Sequence, residues 1–211
     1  MSRNRNVFAL VTLVTSLAAA PSVFAQKRPV TQPLVVNAVA GQTVAIVPVN
    51  MLLIEPEVPP GTFSLARPAL LRWVDSVLFE GASSRAPEVK WVPPQELRRI
   101  SRRAGGLMPD PDQMGQSIMR SWGMTTVPDP LRSNLRRLLA VAGGSRYAMI
   151  PASVVFKSDS AGALAVDMAV LLADVRTGKV VWRSMAKGSG GTPDQVIGKA
   201  VATIFPVEGE P

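Results

Sequence analysis

The sequence predicts an α/β fold: a mixed sheet of about five strands, closed by a carboxy-terminal antiparallel meander, with helices packed on it. Three observations lead there. Over residues 163–174 the even positions are large and apolar (Leu164, Val166, Met168, Val170, Leu172), while the odd ones, apart from Leu171, are small or polar. That is period-two patterning over a full strand length. Secondly, the turn-forming run Asp174-Val175-Arg176-Thr177-Gly178-Lys179 joins this strand to another apolar run. Thirdly, β-branched runs and segments of helical period alternate through the chain before it, as they do when helices cover a sheet.

Taken in order, residues 1–25 read as a cleaved signal peptide. Arg3 and Arg5 precede a short apolar run, and Val23-Phe24-Ala25 supplies small residues before a cut at Gln26. The apolar run is shorter than the roughly 18 residues a membrane span needs. Residues 26–42 read as an extended leader, and residues 43–206 as a single α/β domain. Residues 43–49 form a strand ending at Pro48, since proline cannot donate to a ladder. Residues 50–60, with Pro56, Pro59 and Pro60, read as a loop. Pro68 opens a helix at its first position, and Leu70, Leu71, Val74, Val77 and Leu78 share one face of it. Gly81 is expected to end this helix, with a Ser-rich connector to residue 88.

Residues 89–92 read as a short strand. Residues 94–104 form a helix with Leu97 and Ile100 inward, stopped at Gly105-Gly106. Residues 107–128 read as a loop-rich insertion in which 112–121 could be a short helix weakened by Gly115. Asp129 is expected to cap the next helix, with Pro130 at its first position and Leu131, Leu135, Leu138, Leu139 and Ala142 buried. A strand over 147–157 should carry Ile150, Val154 and Phe156 on one side, with a bulge or an edge at Pro151. A three-residue loop of Arg176, Thr177 and Gly178 would then pair Val175 with Lys179 and Leu172 with Trp182. The same register sets Leu171 beside Arg183 and Asp167 opposite Lys187. Thr192-Pro193-Asp194-Gln195 reads as a capping box opening the last helix, whose stripe is Val196, Ile197, Ala200, Val201 and Ile204. Residues 207–211 are a tail.

The chain of 211 residues is 47% hydrophobic and 18% charged, enough to bury a core. It holds no cysteine and no histidine. The first excludes disulfides, cysteine nucleophiles and lipid attachment at a new amino-terminal cysteine. The second removes the commonest general base and metal ligand. Serine–histidine pairs are excluded with it. Ser–Lys or paired-carboxylate chemistry would remain for a hydrolase, and no motif for either is present. No catalytic, metal or cofactor site is expected. Basic residues outnumber acidic ones 23 to 15, and 21 to 15 without Arg3 and Arg5. Outside the cytoplasm such a balance points to anionic headgroups, wall polymers or acidic partners rather than to nucleic acid.

The ordered set in the carboxy-terminal half carries a resemblance. A helix closed by Gly143-Gly144, then Arg146-Tyr147-Ala148-Met149-Ile150, a turn, the 164–174 strand and Thr177-Gly178-Lys179-Val180-Val181-Trp182 resemble a fold group of bacterial envelope proteins. That group includes the amino-terminal domain of TolB, the curli secretion channel and the lipoprotein activators of penicillin-binding proteins. The resemblance implies a non-enzymatic, exported envelope domain, periplasmic or secreted, that binds, assembles or regulates another envelope component through protein contacts. It carries over no functional residues. This chain departs from the group in lacking the lipidation cysteine and any following propeller or transmembrane hairpin.

The most distinctive charged feature is Arg98-Arg99-Ile100-Ser101-Arg102-Arg103, which stacks Arg98 on Arg102 and Arg99 on Arg103 along a helix. Arg120, Arg132, Arg136 and Arg137 could extend the patch, and Trp122, with Met119 and Met124, adds an aromatic contact. The set predicts a docking face for an envelope protein partner. The alternative is a module binding anionic lipid headgroups or cell-wall polymer with the same arginines. Against both stand a solvated helix face and, for Trp122, a satellite core under the insertion. Asp110 and Asp112 are too few for a calcium site. Asp167 and Asp174 read as a cross-strand partner and a turn residue. Trp73 and Trp91 read as core or half-buried.

Overall fold

The structure, a computed structural model, describes residues 29–206; the expected signal peptide and tail lie outside the described residues. The order is β1 (Thr43–Ile46), β2 (Leu52–Ile54), α1 (Arg67–Arg85), β3 (Lys90–Val92), α2 (Pro94–Arg103), α3 (Leu131–Val141), β4 (Tyr147–Ser158), β5 (Leu164–Asp174), β6 (Val180–Gly190) and α4 (Pro193–Ile204). They build a mixed sheet of order β3-β1-β4-β5-β6, with β2 also paired to β4. The amino-terminal pairings are parallel, and β4–β5–β6 form the expected antiparallel meander.

The sheet is covered on both faces, and the alternation along β5 sorts the two. Leu164, Val166, Met168, Val170 and Leu172 face a core shared with α1 and α4. Ala165, Ala169, Leu171 and Ala173 lie on the other side; all but Ala165 join the core of α2, α3 and the insertion. The small groups on this second face let the leucines of α3 (Leu131, Leu135, Leu138 and Leu139) fill the space.

Several expectations are corrected. The loop after β1 contains a strand: Leu52–Ile54 pairs with Val154–Phe156, taking over beside β4 where β1 has ended. Gly81 does not end α1, which runs on to Arg85. Its missing side chain serves packing, since a Cβ there would lie 2.2 Å from Val201 Cγ1 on α4. The bulge expected near Pro151 exists, with the register slipping between Pro151 and Ser153. It changes which side chains share a face, so that Met149, not Ile150, joins Val154 and Phe156.

The register around Leu172↔Trp182, Leu171↔Arg183 and Asp167↔Lys187 is as expected, but the turn is one residue longer. Asp174, not Val175, closes it: the Asp174 N–H donates to Lys179 O, and the Asp174 carbonyl accepts from the Gly178 N–H. A bulge after Leu172 absorbs the extra residue. Asp174 Oδ1 also accepts the N–H groups of Arg176 and Thr177. Pro130, not Asp129, stands at the cap position of α3, and Asp129 binds the Ser133 N–H and hydroxyl from one residue earlier. Thr192 caps α4 through Gln195 N–H, while Gln195 reaches back to Gly191 rather than to the cap residue itself.

The outer edge of β6 is largely occupied. Val30 O accepts the Met185 N–H at 2.9 Å and Pro33 O accepts the Trp182 indole N–H at 2.9 Å, so the leader lies along this strand. Further up, Val127 N–H donates to Gly178 O and Val180 N–H to Thr125 O, both at 2.8 Å. Covering an edge in this way blunts pairing with other chains.

Candidate functional site: the outer face of α2 and α3

Helix α2 begins with Pro94 at its first position and carries Glu96 in its first turn, where a negative charge meets the positive helix end. Leu97 is fully buried and Ile100 half-buried against the second core, so the remaining positions turn outward or sideways. Arg102 and Arg103 occupy the last turn, where cations favour the dipole. Gly105 (φ 56°) and Gly106 (φ 89°) take the left-handed conformations that release the chain. Leu107 follows at 81% exposure. Opposite, α3 ends at Val141, 55% exposed, one helical turn beyond Arg137. A shallow recess of about 330 Å³ opens between the helices, lined by Glu96, Arg99, Ile100, Arg103, Met108 and Val141.

The structure sorts the sequence-predicted residues by what they touch. Arg99 pairs with Glu96 at 2.5 Å beside the recess, with Arg103 also in its lining. Arg102, Arg136 and Arg137 are exposed, Arg137 donating to Asn134 at 3.0 Å. Arg98 is turned inward instead. It bridges Asp75 of α1 at 2.5 Å and Asp112 of the insertion at 2.7 Å. Arg132 donates to Arg176 O in the β5–β6 turn, and Arg120 lies near the Met51 sulfur at 3.5 Å. Trp122 packs against Arg183, whose guanidinium carbon stands 5.4 Å from the ring centroid.

Two interior arrangements lie beyond what the sequence predicts. Asp75 is fully buried and accepts the Val49 N–H at 2.8 Å as well as Arg98. Burial pushes its pKa up to about 6, only partly offset by Val49 and Arg98. For Arg98, burial lowers the pKa, but Asp112 and Asp75 more than reverse this and hold it above its ordinary value. Arg183, on β6, sends its guanidinium under the insertion to the carbonyls of Met119, Ser121 and Met124 at 2.7–3.0 Å. Burial pulls its pKa down. Met114 and Met119 of the insertion are buried in the second core, together with α2 and α3. A helical polar position such as Asp75, one residue after Val74 in an apolar stripe, was the available signal for the first; nothing local marks the second.

The other acidic residues are also placed. Asp110 accepts the Asp112 N–H, and Asp112 serves Arg98. Asp167 lies opposite Lys187 but pairs with Lys157 at 2.6 Å. Asp174 binds Arg146 at 2.8 Å. Burial would raise its pKa, but the Thr177 and Arg176 N–H groups and Arg146 hold it below the usual carboxylate range. Among the described residues no group of three or more acidic side chains could hold a metal ion. A wider cleft of about 840 Å³ at the far end of the meander is lined by Lys157, Asp167, Lys187 and Lys199, among others. Its Asp167 is already paired, and Lys199 donates to Ser189 O.

The fold is thus a mixed α/β sheet covered on both faces, carrying a cationic, partly apolar surface on α2 and α3. No family model and no curated sequence matches the chain. Among solved structures it is similar to the LpoB C-terminal domain from Salmonella enterica, at 19% identity and TM-score 0.38 over 72% of this chain and 84% of that one. It is also similar to the PelC dodecamer from Paraburkholderia phytofirmans (14%, TM-score 0.39, 83% and 94%). A third is lipoprotein GNA1162 from Neisseria meningitidis (14%, TM-score 0.33, 71% and 81%). The neighbours come from the envelope fold group that the sequence resembles. At these scores the likeness is one of fold, and no property of those proteins passes to this chain.

Proposed function

We propose that this chain is an exported, non-catalytic protein of the bacterial envelope that binds another envelope component, assembling or regulating it, and that the outer face of α2 and α3 makes the contact. One observation carries the reading. Arg99 and Arg103 line the recess with exposed Val141, Arg137 stands one helical turn before Val141, and exposed Leu107 follows four residues after Arg103. Exposed apolar side chains ringed by charge are the usual composition of an interaction site. Export is supported by the charge and apolar pattern of residues 1–25, and the non-catalytic reading by the absence of histidine and cysteine from the sequence and of any metal-holding acidic group among the described residues.

The test is site-specific photo-crosslinking in native envelopes, with the cross-linker placed at Val141 and, as a control, at Ser84 on α1. Adducts from Val141 that are absent from Ser84 are expected. Equal or no adducts from Val141 would remove this face from consideration. Sequencing the mature amino terminus should find Gln26, and an unprocessed Met1 would refute export by a cleaved signal.

A further inference from the structure

We infer that the component met by this face is an anionic phospholipid surface, with Leu107 entering the headgroup region while Arg102, Arg103 and Arg137 meet the phosphates; this rests on reading the α2–α3 face as the contact. The chemistry of the tip favours lipid over an acidic protein. Leu107 protrudes from a turn just past two left-handed glycines, and at 81% exposure it packs on little within the chain. A leucine that a protein partner is to grip is ordinarily matched to a recess. A leucine that dips into a bilayer interface needs only to project, with cations beside it at phosphate level.

The cations near the tip come from two helices. Arg102 and Arg103 close α2, Arg137 stands on α3, and Arg99 lies a turn back from Arg103. They are spread over two helices, whereas fixed carboxylate recognition uses a single guanidinium fork. A headgroup layer offers phosphates at every lateral position and requires no register. Glu96 is the one carboxylate lining the recess, and its charge is taken up by Arg99. Burial and the Arg98–Asp75–Asp112 bridge fasten α2 to the body, so the tip is presented on a rigid support.

The absence of cysteine makes the experiment clean. The secreted form is labelled at Leu107→Cys with an environment-sensitive fluorophore, and separately at Ser84→Cys. Each is mixed with vesicles of phosphatidylcholine alone or with phosphatidylglycerol added. Co-sedimentation of the unlabelled protein is followed in parallel. Binding to the anionic vesicles is expected, with a blue shift at position 107 and none at 84, and with loss at high salt. Each arginine replaced by glutamine, taken from Arg102, Arg103 and Arg137, should weaken binding roughly fivefold. Leu107→Asp should abolish the retained fraction while circular dichroism stays unchanged. Binding that ignores these substitutions, or no shift at 107, overturns the inference. If vesicles are not bound but Val141 cross-links to an envelope protein, the lipid inference fails and the contact-face reading stands. If neither occurs, both fail.

Discussion

Replacing Arg98 with glutamine distinguishes it from its neighbours in the arginine run. In the structure its guanidinium is nearly enclosed and spans Asp75 and Asp112. Removing one partner of a buried pair leaves a charge without compensation and costs about 3–5 kcal/mol. Asp75 keeps only the Val49 N–H, so its pKa rises further above the present value near 6. The sign follows from linkage. A carboxyl whose folded pKa is raised binds its proton more tightly when folded, so its contribution is full below the unfolded value and is lost as pH rises through the folded one. In the parent protein the shift from 3.8 to about 6 amounts to roughly 3 kcal/mol lost between pH 4 and 6. Arg98→Gln extends that loss to higher pH, and its penalty should be smaller at pH 5 than at pH 8. Urea unfolding followed by tryptophan fluorescence across this range measures it. Arg102→Gln and Arg103→Gln, both exposed, should stay within about 0.5 kcal/mol at every pH. Equal effects of Arg98→Gln and Arg102→Gln, or a penalty independent of pH, would refute the assignment of Arg98 to the interior.

Three further outcomes follow from packing. At Gly188 a Cβ would lie 1.9 Å from Val196 O and 2.9 Å from Ala200 N, so Gly188→Ala must push α4 off β6. A loss of about 3 kcal/mol and a fall in Tm of about 6–12 °C are expected by calorimetry. Gly198, inside α4, has open space where a Cβ would stand and gives the opposite sign. Gly198→Ala should stabilise by about 0.5–1 kcal/mol in the same assay. Arg183→Gln strips three carbonyls of their donor and should cost about 3 kcal/mol. Its distinguishing sign is faster hydrogen exchange over residues 107–128 than over α4, and uniform exchange would count against the anchoring role.

Much of the fold is legible because period and punctuation survive in sequence. β5 announces itself by an alternation broken only at Leu171, and the pairing of Leu172 with Trp182 follows from keeping the large groups on one side. What escapes is decided at a distance. Residues 52–54 carry too few positions to show a period, and their strand exists because β4 is long enough to outrun β1. Gly81 looks like a stop until α4 is laid against it, when it becomes the point of closest approach. The added residue at the bulge in β4 moves Ile150 to the opposite core from Val154, a change no alternation rule contains. In the site, the four-arginine run is visible at once, yet the one member that belongs to the interior is chosen by Asp75, more than twenty residues earlier.

The distribution of arginines also narrows where contact can occur. Both sheet faces are covered, and the β6 edge is occupied by the insertion around Gly178–Val180 and by the leader around Trp182–Met185. Strand addition is therefore closed over those stretches. Arg183 and Arg98 use their hydrogen bonds to hold the insertion to β6 and α2 to α1. The first of these also leaves Trp122 pressed on a guanidinium instead of projecting as an independent anchor. Arg102, Arg103 and Arg136 have no such internal task and Arg137 only a bond to Asn134 on its own helix, and all four lie four or five residues from Leu107 or Val141. An interaction surface built this way separates cleanly from stability: the outward arginines can be exchanged without unfolding the protein, whereas the inward pair cannot.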